Sequence, residues 1–233
     1  MSQPFKLFRL QKLDSQLDKV YARIKEIEKT LSDNTILLRA QAKLDDATRK
    51  SADALKALQE AERNVQTQQV KIEQSESTLY GGKVRNPKEL QDLQNEAAAL
   101  KRYKGVLEDR QLEAMIKFDE AENKLFTARA ALDQVVADLE QRNHKLNIEQ
   151  ETLSQEVVRL EAERGAASAT IDKNSLDQYN NLRKSRKGVA VAKVTGKNCS
   201  ACGSTLSAAL QQAARSPNEL NFCDTCGRIL YSG

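Results

Sequence analysis

Tryptophan is absent from this 233-residue chain, proline occurs three times, and aromatic residues make up only 4%. With 39% apolar and 30% charged residues, that composition argues against one large globular core. No apolar run approaches the ~20 residues of a membrane span. The first residues, Met1-Ser2-Gln3-Pro4-Phe5, lack the apolar core of a signal peptide. The single histidine, His144, falls on the outer pattern of a helix with no cysteine nearby, and reads as a solvated residue. Cysteine is missing from the first 198 residues; four then follow in two Cys-x-x-Cys pairs. In a chain without an export signal, that usage points to metal rather than disulfides, and to the cytoplasm.

What is abundant is Ala, Glu, Lys, Leu, Gln and Arg, the composition of long helices. Apolar residues recur every seven positions. Leu10, Leu17, Ile24 and Leu31 form one series and Leu13, Val20 and Ile27 its companion, an a/d seam. The seam slips by one residue and resumes as Leu37, Leu44, Ser51, Leu58, Val65, Ile72 and Leu79, with Ala40, Ala47, Ala54 and Ala61 beside it. A slip of this kind is expected to change the supercoil locally without breaking the helix. Beyond residue 87, Leu93, Leu100, Leu107, Ala114, Ala121, Ala128 and Val135 form one series, and Phe118, Leu125, Leu132, Leu139, Leu146, Leu153 and Leu160 the other.

Between these arms lies Tyr80-Gly81-Gly82-Lys83-Val84-Arg85-Asn86-Pro87-Lys88-Glu89-Leu90. Adjacent glycines stop one helix. Asn86 can cap the next, Pro87 suits its first position, and Glu89 can reach back as in a capping box. Two arms of about 75 residues, each about 110 Å long at 1.5 Å per residue, predict an intramolecular antiparallel pair. A parallel dimer is the alternative, but it has no need of the break. The tip carries Lys83, Arg85 and Lys88 with no acid before Glu89.

The expected fold is thus mainly α: a long antiparallel coiled-coil hairpin over residues 1–165, tip at 80–90, then a linker helix and a small module over 166–233. Gly165-Ala-Ala-Ser-Ala-Thr170 reads as a hinge. A short helix with Leu176, Tyr179 and Leu182 on one face follows, then a strand over Val189–Val194.

Cys199-x-x-Cys202-Gly203 and Cys223-x-x-Cys226-Gly227 are paired knuckles. Each brings two thiolates toward one cation while the glycine permits a tight turn. Four thiolates suit one tetrahedral Zn2+ with every position filled, so the zinc is structural and activates no water. Two redox dithiols are the alternative, but no βαβ context surrounds the pairs. A metal also accounts for the folding of so short a module.

Charge is unevenly distributed. Residues 178–233 carry eight Lys/Arg and two acids, whereas residues 1–177 carry 29 bases and 31 acids. Arg183, Lys184, Arg186 and Lys187 form a cluster beside the module, with Lys193 and Lys197 close behind. They are candidate contacts to phosphate or to an anionic partner. They could equally be a solubilising surface that offsets the negative zinc centre. Tyr179, Phe222 and Tyr231 could stack on bases, but their positions fit the core of the module better.

Taken together, Tyr80-x-Gly82-Lys83-Val84-x-x-Pro87-Lys88-Glu89-Leu90, Leu182-Arg183-Lys184, Gly188-x-Ala190-Val191-Ala192, the two knuckles and Gly227-Arg228-Ile229-Leu230-Tyr231 resemble a known bacterial family. Its members pair an antiparallel coiled-coil hairpin with a C-terminal C4-type zinc ribbon, formerly an uncharacterised zinc-ribbon domain family. The resemblance implies a scaffold or adaptor. Some members are associated with RNA binding, with the sigma factor sigma-54, and with flagellar or type III export. No phosphate-cradling glycine loop, Ser/His/Asp set or open metal shell points to an enzyme. The expected function is therefore a non-catalytic zinc-binding adaptor with protein partners; the alternative is an RNA-binding protein acting through its basic zinc end.

Overall fold

The computed structural model describes residues 2–82, 84–217 and 219–233; Lys83, one of the expected tip cations, lies outside the described residues. The fold is mainly α, with long helices in an antiparallel hairpin and a small C-terminal module of short strands. In chain order the elements are α1 (Gln3–Ser32), α2 (Thr35–Tyr80), α3 (Pro87–Ser168), α4 (Lys173–Ser185), β1 (Val191–Thr195), β2 (Asn198–Cys199), α5 (Ala208–Ala213) and β3 (Ile229–Tyr231). No helix is long and apolar enough to cross a membrane among the described residues.

Two helix boundaries differ from expectation. The seam slip after Leu31 is a break, because α1 ends at Ser32 and α2 begins at Thr35. Asp33 is responsible: its carboxylate accepts from both the backbone N–H (3.0 Å) and the hydroxyl (2.6 Å) of Thr35. That local turn competes with helix continuation, as short polar side chains do. Conversely, the hinge expected over residues 165–170 begins only at Ala169, and Gly165 does not take part in it. It lies inside α3, where the backbone bond from Ala169 to its carbonyl continues the helical ladder. The helix ends only at Ser168, and the turn to α4 occupies the following residues.

The chain divides into two compact units, residues 33–142 and residues 1–32 with 143–233. In the first, α2 and the opening part of α3 run antiparallel. Ala47 and Ile72 of α2, and Leu107 and Ala121 of α3, are buried on the expected heptad series, and Ala97, outside the series read from the sequence, is buried with them. Two seam positions are polar and are satisfied across the pair. Gln68 donates to the Leu100 carbonyl (3.0 Å), and the Ser51 hydroxyl bonds Glu122. Lys101 and Glu76 form an ion pair at 2.6 Å. At the tip, Gly81 has right-handed geometry, and of the two glycines it is Gly82 that takes a positive φ, of 71°. Asn86 accepts from the Lys88 N–H at 3.0 Å, as its capping role requires. No return bond from Glu89 accompanies it among the described residues.

In the second unit, α1 pairs with the end of α3. Leu13, Leu17 and Val20 bury against Leu160, with Leu153 and Val157 beside them. Arg23 grips Glu149 through two bonds, of 2.7 and 2.9 Å. Half-buried and open to screening by solvent, this clasp sets register more than it adds stability. The three strands have the order β2-β1-β3. β1 pairs antiparallel with β2 (Val194 opposite Cys199) and parallel with β3 (Val191 opposite Ile229).

Helix α4 starts at Asp172, whose side chain accepts from the Ser175 N–H at 2.9 Å. That backbone bond, with the Ser175 hydroxyl second, holds the Asp172 carboxyl below the usual carboxylate range. A depressed folded-state value stabilises above the unfolded value of about 4, and the effect is lost as pH falls through the folded value. On acidification below about pH 4, α4 should therefore fray from its N-terminus. Asp172→Asn keeps the cap but should abolish this pH dependence, which the exchange rate of the Ser175 amide would report.

Candidate metal centre and basic surface

The knuckles are built by backbone. Gly203 donates to the Cys199 carbonyl (2.8 Å) and Gly227 to that of Cys223 (2.7 Å), with φ of 76° and 68°. Only glycine takes these angles without steric cost, so each Cys-x-x-Cys pair can close into a tight loop. The four sulfurs lie within 4.8 Å of one another. The Cys199–Cys226 and Cys202–Cys223 pairs, each joining the two knuckles, are 3.9 and 3.8 Å apart. A disulfide needs about 2.05 Å. Zn–S bonds of about 2.3 Å in a tetrahedron put the sulfurs about 3.8 Å apart. The donor set therefore fits zinc and not a disulfide. The chain's cofactor is one structural zinc, which Cys199, Cys202, Cys223 and Cys226 would hold.

The four thiols are not equivalent. Cys199, Cys223 and Cys226 are buried and Cys202 is exposed. Without metal, burial pushes the Cys199 thiol up to about 12. The hydroxyl and backbone N–H of Ser204 bring Cys202 down to about 6. At Cys223 burial is outweighed by the Cys226 N–H and the Ser204 hydroxyl, and the net shift is downward. A bound cation makes thiolates of all four.

Around the cysteines lies a small core of Ala192, Leu206, Ala214 and Leu230, with Val194 and Leu210 at its edge. A larger cluster sits on the other side of β1 and β3. Leu7 and Leu10 of α1 pack with Ile171, Tyr179, Ala190, Val191 and Ile229, and all seven are buried. Phe8 stacks on Tyr231 at 5.0 Å between ring centroids. The side chain of Gln11 completes the seam. Its carbonyl oxygen accepts from the N–H groups of Ala190 and Val191 (both 2.6 Å), and its amide donates to the Val191 carbonyl (2.8 Å). The first strand of the metal module is thereby bonded to the first helix of the chain.

Next to Gln11 lies a buried charge network that the sequence reading missed. Asp14 is 2% exposed. It accepts from Tyr179 Oη (2.6 Å) and Arg164 Nε (2.6 Å) and sits 3.5 Å from Arg183 Nε. Arg183 also bonds Asp18 at 2.6 Å. Burial and the Asp14 carboxylate both push the Tyr179 hydroxyl upward, so it stays a donor. A signal was present in the sequence. Gln11, Asp14 and Asp18 line one edge of the Leu10–Leu13–Leu17 stripe, where ordinary solvated positions need show no such spacing.

The basic cluster therefore splits. Arg183 turns inward to Asp14 and Asp18. Lys184, Arg186 and Lys187 are exposed, as are Lys193 on β1 and Lys197 after it, and none has an acidic partner among the described residues. Lys187 sits in the left-handed region at φ 53°. There it ends α4 in a Schellman-type turn closed by the bond from Gly188 N–H to the Arg183 carbonyl (2.9 Å). Arg228, half-buried, props this turn by donating to the Val189 carbonyl at 2.9 Å. Of the three aromatic candidates, Tyr179 and Tyr231 belong to the core, and Phe222 is 37% exposed. Arg85 and Lys88 at the tip are exposed and fall in the other compact unit.

Residues 10–187 match the model of the CT398-like coiled coil hairpin domain, and residues 198–230 that of the C4-type zinc ribbon domain. No curated protein matches. Among solved structures, CT398 from Chlamydia trachomatis is similar at 19% identity over 99% of this chain and 98% of that one, with a TM-score of 0.78. A Mycobacterium smegmatis protein is similar at 20% identity over the whole of both chains, TM-score 0.67. HP0958 from Helicobacter pylori is similar at 15% identity over 97% and 95%, TM-score 0.51. At these identities the likeness concerns the fold. With hairpin and ribbon both matched in order along the sequence, the chain belongs to the CT398-like coiled-coil hairpin family and carries that family's hairpin joined to a C4-type zinc ribbon.

Proposed function

We propose that the chain is a non-catalytic adaptor of the cytoplasm, in which residues 1–165 form the hairpin and residues 166–233 present a basic zinc module to an acidic protein surface. The observation that carries this reading is the division of the basic cluster. One arginine, Arg183, satisfies the buried carboxylates. Helix-end electrostatics use one or two cations. Lys184, Arg186 and Lys187 remain in solvent without acidic partners among the described residues. Lys187 does so at a backbone angle where glycine would be less costly, a cost of about 1–2 kcal/mol that a charged side chain must justify. Against catalysis stands the metal's chemistry: four thiolates leave tetrahedral zinc no position for water or substrate. Arg85 and Lys88 at the tip are a second contact surface on this reading.

The test is the triple variant Lys184→Gln, Arg186→Gln, Lys187→Gln, which removes charge but leaves Arg183 and the buried network in place. Zinc content is the folding control. Protein partners recovered from lysate by the parent chain should be lost by the variant. Binding of an arbitrary RNA should be weak and unchanged by the substitutions. If instead the parent binds RNA with a steep salt dependence, and the variant lowers that slope by roughly three, one per lost phosphate contact, the anionic partner is nucleic acid. Unchanged partners and unchanged RNA binding would leave the cluster a solvated surface.

A further inference from the structure

Three of the four cysteines are shielded by the module, and the fourth, Cys202, faces solvent. Beside it is the Ser204 hydroxyl, with Oγ 3.0 Å from Cys202 Sγ and 3.6 Å from Cys223 Sγ. These sulfurs belong to different knuckles. Ser204 is in turn fixed by backbone, since its carbonyl accepts from the Cys199 N–H at 3.0 Å. Its main chain thus meets Cys199 through the carbonyl and Cys202 through the N–H, and its side chain lies beside Cys202 and Cys223. Among the described residues it is the one non-cysteine side chain that hydrogen-bonds these sulfurs.

When the cysteines are thiolates they can only accept, so the serine must donate. A hydrogen bond to a metal-bound thiolate draws charge off the sulfur and makes it a poorer nucleophile and a poorer target for a proton. The exposed ligand is where a chelator, a proton or an electrophile first reaches the centre. We infer that Ser204 is a positioning residue of the zinc centre: its one hydroxyl proton goes to the solvent-facing ligand Cys202, 3.0 Å away, with Cys223 of the other knuckle at 3.6 Å, and this bond protects Cys202 and sets how slowly zinc is lost. The inference rests on the zinc assignment but not on the adaptor reading, and partner binding plays no part in its test.

The experiment compares the full-length parent chain with Ser204→Ala and Ser204→Thr. Zinc release into the chromogenic chelator pyridylazoresorcinol is timed, and alkylation of each cysteine by iodoacetamide is followed by mass spectrometry. Ser204→Ala should release zinc about 10- to 100-fold faster, the range for loss of an outer-shell hydrogen bond to a metal ligand. Its first alkylated residue should be Cys202, and Ser204→Thr, which keeps the hydroxyl, should behave as the parent. A cobalt-substituted sample adds a readout that general loosening does not move. The thiolate-to-metal charge-transfer band should shift in the alanine variant alone. An alanine variant that failed to retain zinc while the threonine variant retained it would support the role in its extreme form. Equal release rates and equal bands in parent and Ser204→Ala, or equally fast release from both variants, would overturn it.

Discussion

Replacing Cys223 by serine is expected to strip the chain of zinc and to unpack the ribbon together with the face of α1 against which it lies. Cys223 is buried and shares its knuckle with Cys226. A serine there removes one of the four thiolates on which affinity depends. Structural zinc supplies about 10–16 kcal/mol to small domains. The module's own apolar core is slight: Leu206 and Leu230 are its large buried members. Each is worth about 1.5–3 kcal/mol, far less than the ordering of the surrounding loops costs. Without metal, β1 and β3 lose their support, and the buried Leu7 and Leu10 lose the surface that covers them. The helical signal should nonetheless fall only modestly. The elements at risk are α4 (13 residues), α5 (6 residues) and the start of α1, while α2 and most of α3 are packed in their own seams. Metal analysis should find one zinc per parent chain and none in the variant. Circular dichroism should show an early, small transition followed by the main one. Retained zinc, or collapse of the whole helical signal, would count against this.

The second large effect is expected from Asp14→Ala. The carboxylate is buried and serves Tyr179, Arg164 and Arg183 together. Removing it leaves the Tyr179 phenol and the Arg164 guanidinium without this acceptor and Arg183 with Asp18 as its remaining carboxylate, and truncation of one partner in a buried ionic set costs about 3–5 kcal/mol. Tyr179→Phe removes a single buried bond to the carboxylate and should cost about 1.5–3 kcal/mol. Urea unfolding of the zinc-loaded chain measures both. Because the network joins α1, α3 and α4, the loss should appear in the transition that includes the ribbon. An Asp14→Ala chain within about 1 kcal/mol of the parent would mean that the site is wet and the pairing incidental.

The hairpin was legible because heptad spacing is a local, repetitive signal. Leu13, Leu17, Val20, Leu153 and Leu160 lie where their periodicity puts them. The metal centre was legible because a knuckle is written within five residues, and zinc needs only two knuckles. The misreadings have a common physical origin. Asp33 breaks the first arm by bonding Thr35, and Gly165 fails to break the second, because helix continuity depends on local hydrogen-bond competition that periodicity does not register. The union of α1 with the ribbon was invisible for a different reason. Gln11 meets Val191 across 180 positions of sequence, and neither residue type advertises the other. Arg183 stood among four similar cations, and only tertiary geometry separates the one spent on Asp14 from the three left in solvent. Ser204 follows a knuckle, but outer-shell contacts to a metal centre leave no spacing rule behind.

On this reading, zinc organises a body that includes the beginning of the chain as well as its end. The most direct test is amide hydrogen exchange on the full-length chain with zinc bound and after chelation. Peptides from the Leu7–Asp14 stretch of α1, from α4 around Tyr179 and from β1 should lose protection when zinc is removed. Peptides around Ala47–Ile72 of α2 should exchange as before. Protection in α1 that is indifferent to zinc, with change confined to the two knuckles, would contradict it.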